Sequence, residues 1–227
     1  MMVRDGPTPY LAAGEFIDSN DADVREFAGN VTAGATDDTA RPVKLYHAVR
    51  DGILYDPYHA GEERRYFRAS DCLRAKRGFC IPKAALLAAS ARRVGIPARA
   101  AFADVRNHLA TRKVLELIGG DLFIWHSLTE LRLEGRWVKA TPAFHLSLCQ
   151  RFGVRPLEFD GRHDALFNEH DQAGRKQMEY MKDRGPYADV PYYKRRFLRT
   201  SGRGTRGGWR WSARAEAEIL RPRRENA

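Results

Sequence analysis

The chain has 227 residues, of which 43% are hydrophobic and 30% charged, and this composition predicts a folded soluble core. No apolar run approaches the roughly 20 residues of a membrane span. The formal net charge of +10 is uneven, because residues 194–227 hold 11 basic and 3 acidic side chains while residues 1–193 hold 28 and 26. The nearly neutral body argues against a nucleic-acid surface in the fold and leaves only the basic tail as a nucleic-acid contact.

The first half of the chain has helical patterns. Capping residues at 19–21 and 37–39 each precede an apolar helical face, which predicts two helices, the second of which ends at Gly52. Residues 53–58 are predicted to be extended, and Ser70 begins a short helix. The region that leads to the second cysteine is therefore expected to be rich in helices, with an extended segment at 53–58.

Cys80, that second cysteine, lies where a loop becomes a helix. Residues 82–94 repeat alanine and leucine at helical spacing, with Pro82 in the first turn and Gly95 as the C-terminal stop. The unpaired N–H groups and the dipole of a helix N-terminus favour an anion, and so they favour the thiolate, which is the reactive form of cysteine. The alternative role is that of a small buried hydrophobic residue.

The second half is predicted to form strands that pair among themselves. Residues 98–103 form a candidate strand and residues 114–118 a short helix. Residues 122–133 and 136–141 form the clearest hairpin, around a Glu134-Gly135 turn. Helices followed by such strands indicate an α+β fold.

The hairpin register brings a histidine and a threonine close together. A two-residue turn sets Glu130 opposite Lys139, an opposite-charge pair that supports this register. Thr141 is then the diagonal neighbour of His126, with about 7–8 Å between their α-carbons. A polar side chain at position 141 could therefore approach the imidazole and orient it.

The other cysteines and histidines carry weaker signals. Cys72 and Cys149 lack a helix-start setting and are interpreted as structural residues. The three cysteines form no C-x-x-C pair, and the first residues lack the apolar core of a signal peptide, so we expect a reducing cytoplasm. His163 and His170 stand beside aspartates, but their spacing matches no zinc pattern. We therefore expect neither a metal nor a cofactor.

Several short motifs together resemble the bacterial branch of the transglutaminase-like domain family. They are GFC at 78–80, GIPAR at 95–99, WH at 125–126 and GRW at 135–137. The superfamily also includes animal transglutaminases, peptide N-glycanases and papain-like thiol peptidases. The resemblance covers about residues 37–141, and segments typical of one group of bacterial members extend it to about residue 191.

This resemblance implies a papain-like fold, in which the helix that bears the cysteine packs on an antiparallel sheet that bears the histidine. By position, Cys80 would be the nucleophile and His126 the general base. Such a pair attacks an amide or ester carbonyl and forms a thioester acyl-enzyme. Transfer to water gives hydrolysis and transfer to an amine gives transamidation, so the implied substrate is a peptide or protein amide.

One position departs from the family pattern. The family usually has an aspartate on the return strand of the hairpin, in an Asp-Pro pair, where this chain has Thr141. A threonine hydroxyl can accept a hydrogen bond from the imidazole but cannot stabilise an imidazolium by charge. Asp160 or Asp104 could supply that charge, and otherwise Cys80 and His126 would act as a weakened dyad.

Three functions remain open at this point. The first is a cytoplasmic cysteine-dependent amide hydrolase or acyl transferase, and the second is a catalytically weak domain that binds a peptide or a partner protein. The third is a nucleic-acid adaptor that acts through its basic tail. The predicted organisation is one transglutaminase-like domain over residues 1–198 and a flexible tail rich in glycine and arginine over residues 199–227. The oligomeric state is left open.

Overall fold

The computed structural model describes residues 9–35, 37 and 39–192. The helices are α1 (Ala22–Thr32), α2 (Ala40–Gly52), α3 (Ala69–Ala75), α4 (Cys80–Arg93), α5 (Arg112–Ile118) and α6 (Leu146–Phe152). The strands are β1 (Leu54–Tyr55), β2 (Arg77–Gly78), β3 (Ala98–Asn107), β4 (Leu122–Leu133), β5 (Arg136–Ala140) and β6 (Met178–Tyr187). The predicted tail at 199–227 and its boundary with the domain lie outside the described residues.

The main sheet has four strands in the order β5-β4-β3-β6, and each neighbouring pair is antiparallel. Helix α4 packs against β3 and β4 on one side and against α1, α2 and α3 on the other. The short strands β1 and β2 form a separate parallel pair just before α4. The predicted α+β fold, with the cysteine-bearing helix on an antiparallel sheet, is confirmed.

Helix α4 is the centre of the core because small side chains let its neighbours approach closely. Twelve of its 14 residues are buried, most of them alanine or leucine. The Thr129 hydroxyl on β4 donates a hydrogen bond to the Ala84 carbonyl oxygen over 2.8 Å and so joins the sheet to the first turns of the helix. The sheet position of β4 is thereby fixed relative to Cys80, the first residue of α4.

Two buried cations of α4 hold the surrounding segments. Lys83 is fully buried, and its ammonium donates to the carbonyl oxygens of Arg50 (2.9 Å) and Ile53 at the end of α2. Arg92 donates to the carbonyl oxygens of Ala12, Ala98 and Ala188, which belong to three separate segments. These bonds satisfy carbonyl groups that burial would otherwise leave unpaired.

The predicted hairpin forms in the predicted register, with Glu130 opposite Lys139. Its turn residues both adopt left-handed backbone angles, with φ 49° at Glu134 and φ 80° at Gly135, as a two-residue hairpin turn requires. The Glu130 carboxylate accepts a hydrogen bond from Arg99 on β3 over 2.6 Å, so its charge partner comes from the neighbouring strand.

Two elements were not predicted, and one strand is longer than expected. Helix α6 and strand β6 lie in the region that the sequence left unassigned. Strand β3 continues through the polar residues 104–107, because β6 pairs with it along its whole second half. No described helix is both long and apolar enough to cross a membrane.

Candidate active site

Cys80 is the first residue of α4, and Phe79 precedes it in an extended conformation. Its side chain is partly exposed, whereas Cys72 and Cys149 are buried. Gly78 allows the loop to approach α3, since a β-carbon there would lie 2.8 Å from the Cys72 sulfur. Burial raises the pKa of the Cys72 thiol to about 12, so Cys72 stays protonated. Cys80 is therefore the more accessible thiol, at the anion-favouring end of a long helix.

His126 lies on β4, opposite Ala103 of β3, and is 5% exposed. Its ring packs on Phe167 with 5.0 Å between ring centroids. Burial lowers the pKa of His126 to about 4, so the imidazole is neutral at pH 7 and can accept a proton. Its Nε2 atom is buried and makes no hydrogen bond with a described residue.

Cys80 and His126 reach the same small apolar cluster. This cluster consists of Ala103, Val105, Ala143, Phe167 and Met178, and Cys80 packs against it together with Tyr55 and Phe144. Burial, and to a smaller extent the negative charge of a Cys80 thiolate, raises the pKa of Tyr55 well above its ordinary value. The helix N-terminus, the strand histidine and the phenol of Tyr55 thus surround one site.

A β-bulge shapes β4 immediately before His126. Two residues of β4, Ile124 and Trp125, stand opposite the single residue Asp104 of β3. Trp125 adopts φ 60°, which is rare for a residue with a side chain, and its N–H donates to Asp104 over 3.1 Å. Bulges of this kind commonly re-aim a side chain beside a functional site, and here the next side chain is His126.

The carboxylate that fixes the bulge has a second partner. Arg184 of β6 donates to both oxygens of Asp104, over 2.5 and 2.7 Å, and both side chains are almost fully buried. The guanidinium also lies 5.0 Å from the centre of the Trp125 ring. The Asp104 carboxylate therefore binds Arg184 and the Trp125 N–H of the bulge, and in this way it supports the backbone that carries His126.

Replacing Asp104 with asparagine should disturb His126 without removing it. The bidentate pair with Arg184 would be lost and Trp125 could relax, so we expect the His126-dependent rate of Cys80 alkylation to fall by about tenfold. Histidine NMR should show a changed His126 titration in the same variant. Asp121→Asn, at the exposed start of β4, is the matched control. An unchanged rate and titration in folded Asp104→Asn would show that the bulge does not position the imidazole.

Thr141 directly follows β5 and is buried, with a hydroxyl that makes no hydrogen bond of normal geometry to a described residue. Its main chain is held by Tyr46, whose hydroxyl donates to the Thr141 carbonyl oxygen over 3.2 Å. Burial raises the pKa of Tyr180 to about 12, and hydrogen bonding by Phe167 and Thr141 opposes this. Thr141 thus lies beside Tyr180. The Tyr180 hydroxyl accepts a hydrogen bond from the Phe167 N–H, and the Phe167 ring packs on His126.

Asp160, the other candidate for the third member, is engaged in its own loop. Its carboxylate accepts the N–H groups of Arg162 and His163, each over 2.8 Å, and contacts the His163 ring over 2.7 Å. These bonds hold the pKa of Asp160 well below its usual range. Within the described residues, no group of three or more His, Cys, Asp or Glu side chains is arranged to hold a metal ion.

Several residues of this site gave little or no signal in the sequence. Tyr55, Phe167 and Tyr180 are single aromatic residues in loops or on an edge strand, and only the fold brings them together. Nothing in the sequence singled out Arg184, because its partner Asp104 is 80 positions away. For Tyr55, the aromatic segment before the cysteine loop was the available signal.

Solved structures of two other proteins align with parts of this chain at low sequence identity. The chain covers 48% of a candidate cysteine protease from Cytophaga hutchinsonii, which is 16% identical and aligns with 82% of this chain at a TM-score of 0.52. A candidate protease from Parabacteroides distasonis, also 16% identical, aligns with 52% of this chain over 23% of its own at a TM-score of 0.38. The chain thus spans about half the length of the first of these proteins.

No curated protein is detectably similar in sequence to the chain. The model of the transglutaminase-like superfamily core, in contrast, matches residues 25–142, which include α4 and the hairpin that carries His126. Together with the helix-start cysteine and the sheet histidine described above, this match shows that the chain belongs to the transglutaminase-like superfamily.

Proposed function

We propose that the chain is a cysteine-dependent amide hydrolase or acyl transferase in which Cys80 is the nucleophile and His126 the general base. The observation that carries this proposal is that Cys80 packs against the apolar cluster to which Phe167 belongs and His126 stacks on the Phe167 ring, with the thiol partly exposed and the imidazole neutral. Because Cys72, Cys80 and Cys149 form no disulfide with one another, a bacterial cytoplasm remains our proposed location.

In this proposal, His126 takes the thiol proton as the Cys80 sulfur attacks the carbonyl carbon. Backbone N–H groups at the start of α4 would hold the oxyanion. Pro82 has no N–H and the Lys83 N–H donates to the Phe79 carbonyl oxygen, so neither of these residues supplies a donor to the oxyanion. His126 then gives the proton to the leaving amine, and water releases the acyl group from sulfur. Water is the favoured acceptor because it is the abundant nucleophile in a cytoplasm.

The electrostatics of His126 favour a neutral resting pair. Burial is the cause of its lowered pKa, and no carboxylate of a described residue offsets that effect. A thiolate–imidazolium pair would therefore be costly before substrate binds, and proton transfer would accompany attack. We expect a modest catalytic rate for this reason.

The lack of a carboxylate that offsets the lowered pKa of His126 among the described residues supports a second candidate function. In this alternative, the chain is a domain that binds a peptide or protein partner and catalyses poorly. By the family pattern, position 141 would carry the charged partner of the imidazolium, and the Thr141 hydroxyl cannot supply charge. This candidate predicts tight binding of a peptide by the chain and no turnover above that of a Cys80→Ala variant. The enzyme proposal predicts turnover that requires both Cys80 and His126.

The deciding experiment measures the alkylation of Cys80 by iodoacetamide against pH, in a Cys72→Ser, Cys149→Ser background. We expect Cys80 to react faster than a model thiol below pH 8.5, and His126→Ala to slow the reaction by about tenfold. His163→Ala, in an exposed loop, is the matched control and should leave the rate unchanged. A slow alkylation whose rate is the same with and without His126 would refute the enzyme proposal and favour the binding domain.

A further inference from the structure

A large cavity adjoins the proposed active site. It has a volume of about 530 Å³, and its walls come from the segment around β1, the loop between β3 and α5, helix α6 and the start of β6. That volume is within the usual range for small-ligand sites, roughly 300–1,000 Å³. The cavity could therefore hold one or two residues of a peptide.

Three side chains of the cavity wall connect it to the surroundings of Cys80. Met178 belongs to the cluster against which Cys80 packs, and Tyr55 and Phe144 pack against the same cluster. Tyr55 and Phe144 meet edge to face, with 4.9 Å between their ring centroids. Phe123, Leu148 and Phe152 add further apolar surface. A group seated in the cavity would thus contact aromatic rings that pack against the same cluster as Cys80.

The charges around this cavity are mainly positive. Arg112, Lys113 and Arg151 line it, against a single carboxylate, Asp56. Asp56 is already neutralised by Arg77 over 3.5 Å and by two loop N–H groups, and Arg112 pairs with Glu116 over 2.9 Å. Lys113 and Arg151 are exposed and form no ion pair with a described residue, so the uncompensated charge at the rim is positive.

The wall also contains a buried amide with an unused acceptor. Gln177 is 3% exposed and lines the cavity, and its side-chain oxygen makes no hydrogen bond with a described residue. Its main chain, in contrast, is fixed by bonds to Glu169 (2.6 Å) and His108 (2.9 Å). Buried amide oxygens in native proteins are nearly always bonded, so this atom lacks a donor, and a rotation of the side chain towards the cavity would let a ligand such as a peptide N–H supply it.

We propose, on the basis of the function proposed above, that the cavity is the substrate-binding site for an acidic peptide. An aromatic or aliphatic side chain of the peptide packs against Phe144, and a neighbouring carboxylate binds Lys113 and Arg151. The Gln177 side-chain oxygen accepts a hydrogen bond from the peptide backbone. The site therefore selects for an apolar residue flanked by acidic ones, beside the amide that Cys80 attacks.

The test measures binding rather than turnover. A fluorescein-labelled peptide of sequence AEFQEA is titrated with the Cys80→Ala chain, beside a partner peptide with glutamine in place of both glutamates. We expect the acidic peptide to bind about tenfold more tightly at low ionic strength and to lose that advantage at high salt. A third peptide, with alanine in place of phenylalanine, should also bind about tenfold more weakly.

Variants locate the site. Lys113→Glu combined with Arg151→Glu should abolish the preference for the acidic peptide, whereas Arg25→Glu, on the exposed face of α1, should keep it. Gln177→Leu should weaken both phenylalanine peptides by about fivefold. Equal binding of the charged and neutral peptides, or an unchanged preference in the double variant, would overturn the proposal. Because Cys80→Ala removes the nucleophile, these outcomes are independent of whether the chain is an enzyme.

Discussion

Replacing Thr141 with aspartate should raise the pKa of His126 and increase the rate of amide hydrolysis by about 100-fold. An ionised carboxylate beside a buried imidazole stabilises the imidazolium, and an opposite charge at close range shifts a pKa by about 1–3 units. The pKa of His126 would then rise from about 4 towards its ordinary value. The Cys80 thiolate would then be paired with a charged imidazolium. General acid–base catalysis of this kind typically increases a reaction rate by about 100-fold or more.

Two measurements check this result. Histidine NMR follows the His126 titration without requiring a substrate, and hydrolysis of a peptide amide gives the rate. Thr141→Val is the matched control, because it has the same shape without a hydroxyl or a charge, and it should leave the pKa of His126 near 4. If Thr141→Asp folds and the His126 titration stays unchanged, Thr141 is not at the third position of the site.

Lys83 should make the stability of the chain depend strongly on pH, in the direction of greater stability at higher pH. Burial lowers the pKa of Lys83 to about 7 in the folded chain, against an ordinary value of 10.5. Nearby Asp51, Cys72 and Cys149 oppose this effect, and Arg50 adds to it. Between pH 7 and pH 10.5 the unfolded chain holds a proton that the folded chain has lost, so the free energy of unfolding rises with pH.

The measurement is chemical denaturation of wild type and Lys83→Met at pH 7 and pH 8.5. We expect the difference between their free energies of unfolding to change by about 1.5 kcal/mol in favour of wild type at the higher pH. The variant should also be less stable at pH 8.5, because the carbonyl oxygens of Arg50 and Ile53 lose their donor. Lys44→Met, on the exposed side of α2, is the control. Parallel pH profiles for wild type and Lys83→Met would mean that Lys83 stays charged when buried.

The parts of the fold that sequence predicted well are those with local signals. The periodicity of residues 82–94 indicates α4, and Gly135 indicates the turn whose backbone angles demand a flexible residue. The register of β4 and β5 followed from that turn alone, whereas the proximity of His126 to Thr141, which lies one residue beyond β5, stays a prediction. The placement of Cys80 at a helix N-terminus followed from Pro82 and the alanine-rich run.

The remainder depended on contacts between distant segments. Strand β6 contains Gly185 and Pro186 and exposes Lys182 and Asp183, a composition typical of an edge strand and easily taken for a loop. Asp104 was a candidate for charge at the histidine, and its actual role with Arg184 depends on that unpredicted strand. The cavity likewise forms from four separated segments, so no local pattern could indicate it.

The position of β6 has a consequence for how this active site could diversify. The family core ends at residue 142, yet the arginine that neutralises Asp104 comes from residue 184, in a segment outside that core. A relative can therefore keep every family motif and still differ in the orientation of its histidine, because the arginine that supports the bulge lies outside the segment that carries the motifs. Relatives could be sorted by whether they have an acidic residue at the bulge that pairs with a basic residue on the edge strand. Such a grouping would follow the orientation of the histidine rather than the family motifs.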